Sequence, residues 1–500
     1  MRGPHPTRAR HARTWLRAAA LWLLPLSCSR PGPRWNVVLI TLDTTRADAL
    51  SCYGGPSAAT PALDALAAAG TRFDLALSSA ALTPVAHASI LTGLENREHG
   101  LRVMSAGSGF RLPPDVPTLA SVLREQGYAT LAVQGAFPVS SWFGFDRGFE
   151  RFESFDTRID PGSERKNWNV LEFQRRSDAV TDLALECVRG ARRPFFLWTH
   201  YWDPHDPLLI PPEEFLPADL PRDAQGHPSE SRALYDAEIR YMDREIGRLV
   251  EGLKRSGEYE RTLFVVVADH GEGLGEHGWW HHRILYQEEL RVPLLLVVPG
   301  RASTPPVEAL VRTIDIYPTL LEALGLDTTP HGSARSLLPL LDGRSEEPRT
   351  AFADAINGYD HNAAMLAQRP LDDFVYAVVR EGWKLLYRPA HREANELFEL
   401  ASDPREARNR FASEPARALE LELALAREQP FVTRPFPDEP AQQQGVSNVL
   451  QALGYTAAAR SGPAAEAWRW SCPAHPQTEF ESNRPCKECG SPMLPFVRGR

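Results

Sequence analysis

Cysteine is rare in this chain: six cysteines among 500 residues exclude a small fold held together by disulfide bonds. An excess of basic residues is also lacking. The 55 Lys and Arg stand against 64 Asp and Glu, and the net charge of −9 argues against a nucleic-acid-binding protein. Beyond the first thirty residues, no apolar run reaches the roughly 20 residues that a membrane-spanning helix needs. The composition, 43% hydrophobic and 24% charged, is typical of a globular protein with one large domain and smaller accessory parts.

The first thirty residues have the pattern of an export signal. A short apolar run at 18–24 follows a basic segment that contains Arg8, Arg10, Arg13 and Arg17. The run is too short for a stable transmembrane helix. Cys28 after it predicts either a lipid-modified N-terminus or a cleaved signal in which the cysteine has no role. We expect an exported protein that is periplasmic, an outer-membrane lipoprotein or extracellular, and that meets a membrane only through such a lipid.

Short apolar runs end at polar residues along the first two thirds of the chain. Three of them, at 36–42, 195–199 and 263–268, are followed by Asp43, His200 and Asp269-His270, and a fourth covers 292–298. Such runs suit strands buried on both faces, and helical stretches lie between them at 61–69, 118–127 and 234–253. The alternation predicts an α/β sandwich with a mostly parallel central sheet flanked by helices, and ligands beyond the carboxyl ends of its strands.

After about residue 350 the pattern changes. Residues 374–379 and 383–387 predict two antiparallel strands, a further run follows at 396–400, and 414–428 predict a helix. Residues 430–466 are rich in Pro, Gln and Ala, which is typical of a linker. We therefore divide the chain into a signal peptide (1–30), a catalytic domain (34–350), a small C-terminal α+β subdomain (351–428), a linker (429–466) and a Cys/His module (467–497).

Two predicted strand ends carry hard metal donors. Asp43 follows the first apolar run, and Asp269 and His270 follow the third. Two carboxylates and an imidazole at one edge of a sheet can bind a divalent cation. The alternative for each aspartate is an ordinary turn residue after a strand.

Thr83 stands at the start of a stretch of helical character. A threonine N-cap followed by Pro84 at the first helical position is a common helix start, so the simplest interpretation of Thr83 is a capping residue. The functional hypothesis uses the same geometry, because a hydroxyl at a helix N-terminus lies where backbone N–H groups favour an anion. Coordination to a metal would make that hydroxyl a nucleophile.

Six segments resemble, in order, the landmark motifs of the sulfatase family of the alkaline phosphatase superfamily. They are 36–54 (first metal strand), 83–93 (nucleophile motif), 200–205 (the His-Pro-His element), 268–278 (second metal motif), and the later landmarks 315–321 and 396–404. The resemblance covers roughly residues 34–412. It implies an alkaline phosphatase-like fold and metal-dependent ester hydrolysis.

The resemblance also implies a metal site. Asp43, Asp269 and His270 would be ligands of one divalent cation, which is calcium, magnesium, manganese or zinc. Thr44 stands where many sulfatases have a second ligating aspartate, so its bond to the metal would be weaker or absent.

Thr83 falls at the position of the family's nucleophile, and we expect His87 to lie near enough to orient its hydroxyl. His205 and His282 would contact the anionic ester or protonate its leaving group. The alternative for both histidines is a solvent-facing place on a loop.

The chain departs from the sulfatase pattern at the nucleophile. Sulfatases carry a formylglycine made from Cys or Ser in a Cys/Ser-x-Pro-x-Arg core, whereas this chain has Thr83, Val85 and His87 there. The family's Gly-Lys-Trp-His element corresponds to 135–138, which lacks the Lys and His. A threonine ester cannot collapse to an aldehyde, so water or another acceptor must displace it. Phosphodiesterases, lipoteichoic acid synthases and phosphoethanolamine transferases of the superfamily use such a metal-bound threonine.

The C-terminus carries a second group of metal donors. Cys472, His475, Cys486 and Cys489 form two pairs at short spacing, which can surround one tetrahedral zinc ion. The segment resembles the heavy-metal-binding domain over about thirty residues, and we expect a structural zinc. The alternative is a redox-labile tail with a disulfide between Cys486 and Cys489.

The residues and the resemblance together predict a metal-dependent hydrolase of a sulfate, phosphate or phosphonate ester carried by a small molecule, glycan or lipid. A non-catalytic anion- or glycan-binding protein, a phosphotransferase, and a metal-handling protein centred on the C-terminal module are the alternatives.

Overall fold

The computed structural model describes residues 1, 3, 34–55, 59–104, 109–155, 173–205, 209–223, 226, 228–327, 332–360, 363–436 and 468–497. The predicted signal peptide, apart from residues 1 and 3, lies outside the described residues and so does Cys28. Of the predicted linker, 429–436 is described.

The described chain contains seventeen strands. They are β1 (Asn36–Leu42), β2 (Thr71–Leu77), β3 (Ala129–Val133), β4 (Arg151–Glu153), β5 (Phe195–Tyr201), β6 (Thr262–Ala268), β7 (Gly273–Leu274), β8 (Trp280–His281), β9 (Arg291–Val297), β10 (Val311–Arg312), β11 (Ala351–Ala355), β12 (Val375–Arg380), β13 (Trp383–Tyr387), β14 (Glu396–Glu399), β15 (Trp468–Cys472), β16 (His475–Phe480) and β17 (Leu494–Val497).

Eight strands form the central sheet, in the order β10-β2-β9-β6-β1-β5-β3-β4. Neighbouring strands are parallel except where β9 pairs with β6 and with β2, so β9 alone among them runs against the others. Every residue of β1, β5 and β6 is buried, because helices cover both faces of the sheet. The predicted α/β sandwich with a mostly parallel sheet is confirmed.

Eleven α-helices accompany the strands. They are α1 (Pro61–Ala69), α2 (Thr83–Thr92), α3 (Asn96–His99), α4 (Leu119–Glu125), α5 (Ser177–Gly190), α6 (Arg232–Arg255), α7 (Gln287–Leu290), α8 (Ile316–Ala323), α9 (Leu338–Leu341), α10 (Ala363–Gln368) and α11 (Pro415–Glu428) in the described segments. The side chain of Ser231 caps α6 by accepting from the amide of Leu234. Each described helix is too short or too polar to cross a lipid bilayer.

The C-terminal part adds two smaller antiparallel sheets. Strands β11–β14 form one in sequential order, and β16-β15-β17 form the other. The described start of the predicted linker packs on the body: the carbonyl of Pro430 accepts from Arg102, and the amide of Val432 donates to the Tyr376 hydroxyl. Residues 430–432 therefore belong to the packed fold and not to a loose linker.

Candidate active site

Asp43, Asp269 and His270 come together at the carboxyl edge of the central sheet. Asp43 follows β1, and Asp269 and His270 follow β6, the neighbouring strand. One ligand atom from each residue lies within 4.8 Å of the other two, and all three side chains are buried. His270 donates from Nδ1 to the carbonyl oxygen of Gly271 at 2.9 Å, which leaves the lone pair of Nε2 for a cation.

Four buried polar atoms on and beside this cluster have no hydrogen-bond partner among the described residues. They are Asp43 Oδ1, Thr44 Oγ1, Asp269 Oδ2 and His87 Nε2. Buried polar atoms are costly unless a partner satisfies them. A divalent cation would satisfy the carboxylate and hydroxyl oxygens, which are the ligands that hard ions prefer. The donor set therefore fits a metal ion.

The raised pKa values of Asp43 and Asp269 agree with a divalent cation at this cluster. Burial, reinforced by the charges of Asp269 and Glu272, holds the pKa of Asp43 well above its ordinary value. Burial also raises the pKa of Asp269, although hydrogen bonds from the amides of His270 and Thr44 oppose this effect. Two carboxylates in a dry site destabilise each other's charged forms, and a divalent cation offsets that penalty.

Thr83 is the first residue of α2, and its hydroxyl lies at the cluster. The N-cap of the helix is Leu82, so the prediction that Thr83 is the N-cap is wrong by one residue, because Thr83 already has helical geometry. The Thr83 side chain is therefore not used for capping. Its Oγ1 lies 3.4 Å from Nε2 of His270, and the hydroxyl lowers the pKa of Asp43 against the effect of burial.

His87 lies one helical turn after Thr83 and hydrogen-bonds to the main chain of Thr83; that it orients the Thr83 hydroxyl stays a prediction. Its Nδ1 donates to the carbonyl oxygen of Thr83 at 2.8 Å and lies 3.5 Å from Oδ2 of Asp269. The ring packs against Trp198 and edge-on against His200. Burial lowers the pKa of His87 to about 3, so the ring is neutral at pH 7. His87 thus supports the start of α2 beside the cluster.

His205 and His282 meet beside the cluster although they come from loops 77 residues apart in sequence (282 minus 205). Their ring centroids are 5.3 Å apart, and the His282 centroid is 4.6 Å from that of His270. Trp202 stacks on His205 at 3.8 Å. Nδ1 of His282 lies 3.2 Å from Oε2 of Glu272. Both histidines are thus part of one site and are not separate loop residues.

Two further residues belong to the candidate site: His200, which the sequence analysis places after an apolar run without assigning it a role, and Glu272, which lies within the second metal motif. His200 donates from Nε2 to Oδ2 of Asp43 at 2.8 Å, and its Nδ1 accepts from the amide of Gly135. Glu272 is buried, and its carbonyl oxygen accepts from Arg46 at 3.2 Å. The signal that reveals His200 is its place beside Asp43, at the carboxyl end of the strand next to β1.

The four C-terminal donors also come together. Sγ of Cys472 lies 3.6 Å from Sγ of Cys489 and 3.7 Å from Nδ1 of His475, which lies 3.6 Å from Sγ of Cys486. Sulfurs that share a tetrahedral zinc at about 2.3 Å are about 3.8 Å apart, so the four atoms have the spacing of a zinc site. These cysteines form no disulfide, so the alternative bond between Cys486 and Cys489 is absent from the structure.

The Cys/His module is packed against the subdomain. Trp468, Leu494 and Val497 join the same hydrophobic core as the central sheet. The indole of Trp468 donates to the hydroxyl of Tyr359 at 3.2 Å, and the amide of Val497 donates to the carbonyl oxygen of Pro389. The metal-binding end of the module is therefore connected to the main body by packing as well as by the chain.

Comparison with known proteins matches the chain to sulfatase family models and to relatives of the same superfamily. The family model described as Sulfatase matches residues 35–326, and the model described as N-sulphoglucosamine sulphohydrolase, C-terminal, matches residues 275–429. An N-acetylglucosamine-6-O-sulfatase of Bacteroides thetaiotaomicron is 25% identical, over 78% of this chain and 86% of that protein. A multifunctional alkaline phosphatase superfamily protein of Trinickia caryophylli is 27% identical, over 77% of this chain and 92% of that protein.

A solved structure shares the fold. The phosphonate monoester hydrolase of Agrobacterium radiobacter aligns with a TM-score of 0.63 and 23% identity, over 79% of this chain and 95% of that chain. The alkaline phosphatase-like architecture predicted from the motifs is thereby confirmed.

Proposed function

Because the chain belongs to the sulfatase family, we propose that it is a metal-dependent ester hydrolase in which the hydroxyl of Thr83 is the nucleophile. The substrate is a phosphate or phosphonate ester, and a sulfate ester is the alternative. The observation that carries the proposal is the place of Thr83 Oγ1, which lies 3.4 Å from Nε2 of His270, one of the three clustered donors.

Asp43, Asp269 and His270 would hold the cation, with the Thr44 hydroxyl as a fourth donor. When bound, the cation acts as a Lewis acid on the ester and lowers the pKa of the Thr83 hydroxyl. The unpartnered oxygens of both carboxylates and of Thr44 support this assignment.

The reaction takes two chemical steps, and Thr83, His282 and solvent carry every proton that moves. Thr83 loses its proton to solvent, its oxygen attacks phosphorus, and the bond between phosphorus and the leaving oxygen breaks while His282 protonates that oxygen. Water then attacks the phosphothreonine, His282 takes the proton of the water, and Thr83 leaves and regains a proton from solvent. Oε2 of Glu272, 3.2 Å from Nδ1 of His282, would accept a hydrogen bond from the protonated ring and so oppose the burial that lowers the pKa of His282.

A phosphorus ester is favoured over a sulfate ester for two reasons. Thr83 stands in place of the aldehyde-forming residue, so release depends on attack by water on a threonine ester. Residues 135–138 supply no Lys or His to the anion, unlike the corresponding family element.

The proposal includes a structural zinc bound by Cys472, His475, Cys486 and Cys489, which the spacing of their donor atoms supports. It also includes export of the protein, with Cys28 as the candidate site of a lipid.

The test is hydrolysis of aryl sulfate, aryl phosphate, aryl phosphodiester and aryl phosphonate, each with calcium, magnesium, manganese or zinc. We expect turnover of a phosphorus ester that falls about 10⁴-fold or more in Thr83→Ala. The control is Thr92→Ala, which alters a buried threonine at the other end of α2 whose hydroxyl bonds to the carbonyl of Ala88. Full activity of Thr83→Ala would overturn the mechanism, and inactivity of the wild type toward every ester would favour an anion-binding protein.

A further inference from the structure

The loop that carries His282 has an unusual backbone. His281, Arg283 and Leu285 have φ angles of 92°, 92° and 67°, so every second residue is in the left-handed region that L side chains rarely adopt. None of the three is glycine. Such a conformation persists only when surrounding contacts impose it, and it is frequent at functional sites.

The buried side chain of Glu289 imposes this backbone conformation. Oε2 of Glu289 accepts hydrogen bonds from three consecutive backbone amides, those of Arg283 at 3.0 Å, Ile284 at 2.8 Å and Leu285 at 2.8 Å. The Glu289 side chain is fully buried, so water does not compete for these donors. Successive amides that converge on one oxygen form a concavity of hydrogen-bond donors, and here the oxygen belongs to a side chain of the same chain.

The main chain of Glu289 reaches the metal side of the site. Its carbonyl oxygen accepts from the amide of Gly271 at 2.7 Å, and Gly271 directly follows His270. One residue therefore holds the loop of His282 through its side chain and the loop of His270 through its backbone.

The C-terminal subdomain adds a second contact to the same loop. Nη1 of Arg283 lies 2.6 Å from Oδ2 of Asp360, and the side-chain amide of Asn357 donates to the carbonyl oxygen of Arg283 at 3.1 Å. These contacts hold the side chain and the carbonyl oxygen of Arg283, whereas the amide of Arg283 donates to Glu289.

We propose that Glu289 is a positioning residue that sets the place of His282 relative to Thr83 and the metal ligands. The inference rests on the proposed function, in which His282 protonates the leaving group. Glu289 touches neither substrate nor reacting atoms, and it acts through the loop alone.

The test combines two measurements on Glu289→Ala, Glu289→Gln and Glu289→Asp. Gln keeps an acceptor oxygen at the same reach, whereas Asp withdraws the carboxylate by one methylene and serves if the Ala variant does not fold. The matched control is Asp243→Asn, because Asp243 is a buried carboxylate that accepts from the amides of Ala62 and Leu63, away from the site.

Hydrogen exchange measures how well the backbone amides of the His282 loop are protected, independently of catalytic activity. We expect the amides of 283–285 to exchange about 100-fold faster in Glu289→Ala or Glu289→Asp, near wild-type rates in Glu289→Gln, and unchanged in Asp243→Asn. Unchanged exchange at 283–285 in the Ala and Asp variants would overturn the inference.

Hydrolysis of phenyl and 4-nitrophenyl methylphosphonate tests the placement of the acid, and the matching aryl phosphates or sulfates replace them if the wild type prefers those esters. Loss of a well-placed acid should lower kcat/KM about 100-fold for phenol, a poor leaving group, and only about 3-fold for 4-nitrophenol, with rescue by Gln. An equal loss for both esters would mean a merely structural role and would overturn the inference alone. A wild type that cleaves none of these esters would overturn the proposed function and this role together.

Discussion

The Nε2 atom of His200 lies 2.8 Å from Oδ2 of Asp43, and both side chains are fully buried. Because Nδ1 of His200 accepts from the amide of Gly135, the proton is on Nε2 and points at the carboxylate. The imidazole therefore fixes the orientation of an aspartate in the proposed metal site without being a ligand itself.

Replacement of His200 by Phe should weaken divalent cation binding about 10- to 100-fold, since Phe fills the space but donates no hydrogen bond to Asp43. Calorimetric titration with manganese measures the change. The control is His99→Phe, which removes a buried histidine that contacts Ser89 at the far end of α2 and should leave the affinity as it is. Equal affinities of wild type and His200→Phe would contradict the role of His200.

Gly271, between His270 and Glu272, has no room for a side chain. A Cβ atom there would overlap the carbonyl oxygen of Glu288. Gly271→Ala should therefore displace the metal loop and lower the free energy of unfolding by about 2–4 kcal/mol, with loss of the stabilisation by manganese. Thermal unfolding with and without manganese measures both. In Gly190→Ala the new Cβ meets nothing within 4 Å, and this variant should remain within about 1 kcal/mol of the wild type.

Loss of metal from the C-terminal module should destabilise the main domain, because Trp468, Leu494 and Val497 belong to the main core. We expect Cys489→Ser to contain one zinc equivalent less than the wild type and to lose about 2 kcal/mol or more of stability. Cys52→Ser changes a free cysteine outside the module and should do neither. A Cys489→Ser protein with wild-type zinc content and stability would show that the module needs no metal.

Stability should depend on pH through Glu422 in α11. Burial raises the pKa of Glu422 to about 7, against the opposing charge of Arg392. The carboxyl is thus neutral in the fold but ionised in the unfolded chain between about pH 4.5 and pH 7, so its contribution to stability falls as the pH rises through that window. Glu422→Gln should match the wild type near pH 4.5 and exceed it at pH 8 by on the order of 2 kcal/mol.

Denaturation at pH 4.5 and pH 8 measures this difference. Glu420→Gln is the control, because Glu420 lies on the same helix but is partly exposed and paired with Arg417. If Glu422→Gln raised the free energy of unfolding equally at pH 4.5 and pH 8, the raised pKa of Glu422 would be contradicted.

Much of the fold is readable in the sequence, since buried strands and amphipathic helices leave distinct periodicities. The strands at 36–42 and 383–387 and the helix at 61–69 have the predicted bounds. The direction of β9 is not readable, because an apolar run buried on both faces looks the same in a parallel and an antiparallel strand. The register of its pairing with β2 and β6 is a tertiary property.

Some residues of the candidate site are likewise predictable from the sequence, and others are not. Asp43 and Asp269 are found because carboxylates at the ends of parallel strands must meet at one edge of the sheet. Glu289 leaves no such trace, because its partners are backbone amides that carry no sequence signal. The bond of His87 to the carbonyl of Thr83 likewise depends on side-chain orientation within α2, which spacing alone does not determine.

The central claim is that Thr83 forms a covalent ester with the substrate. Acid quenching during turnover of an aryl phosphonate, followed by peptide mass spectrometry, tests it most directly. The account predicts a phosphonyl group on Thr83 in the peptide that contains 83–92, and no adduct in Thr83→Ala. Turnover by the wild type with no adduct on Thr83, together with full activity of Thr83→Ala, would contradict it.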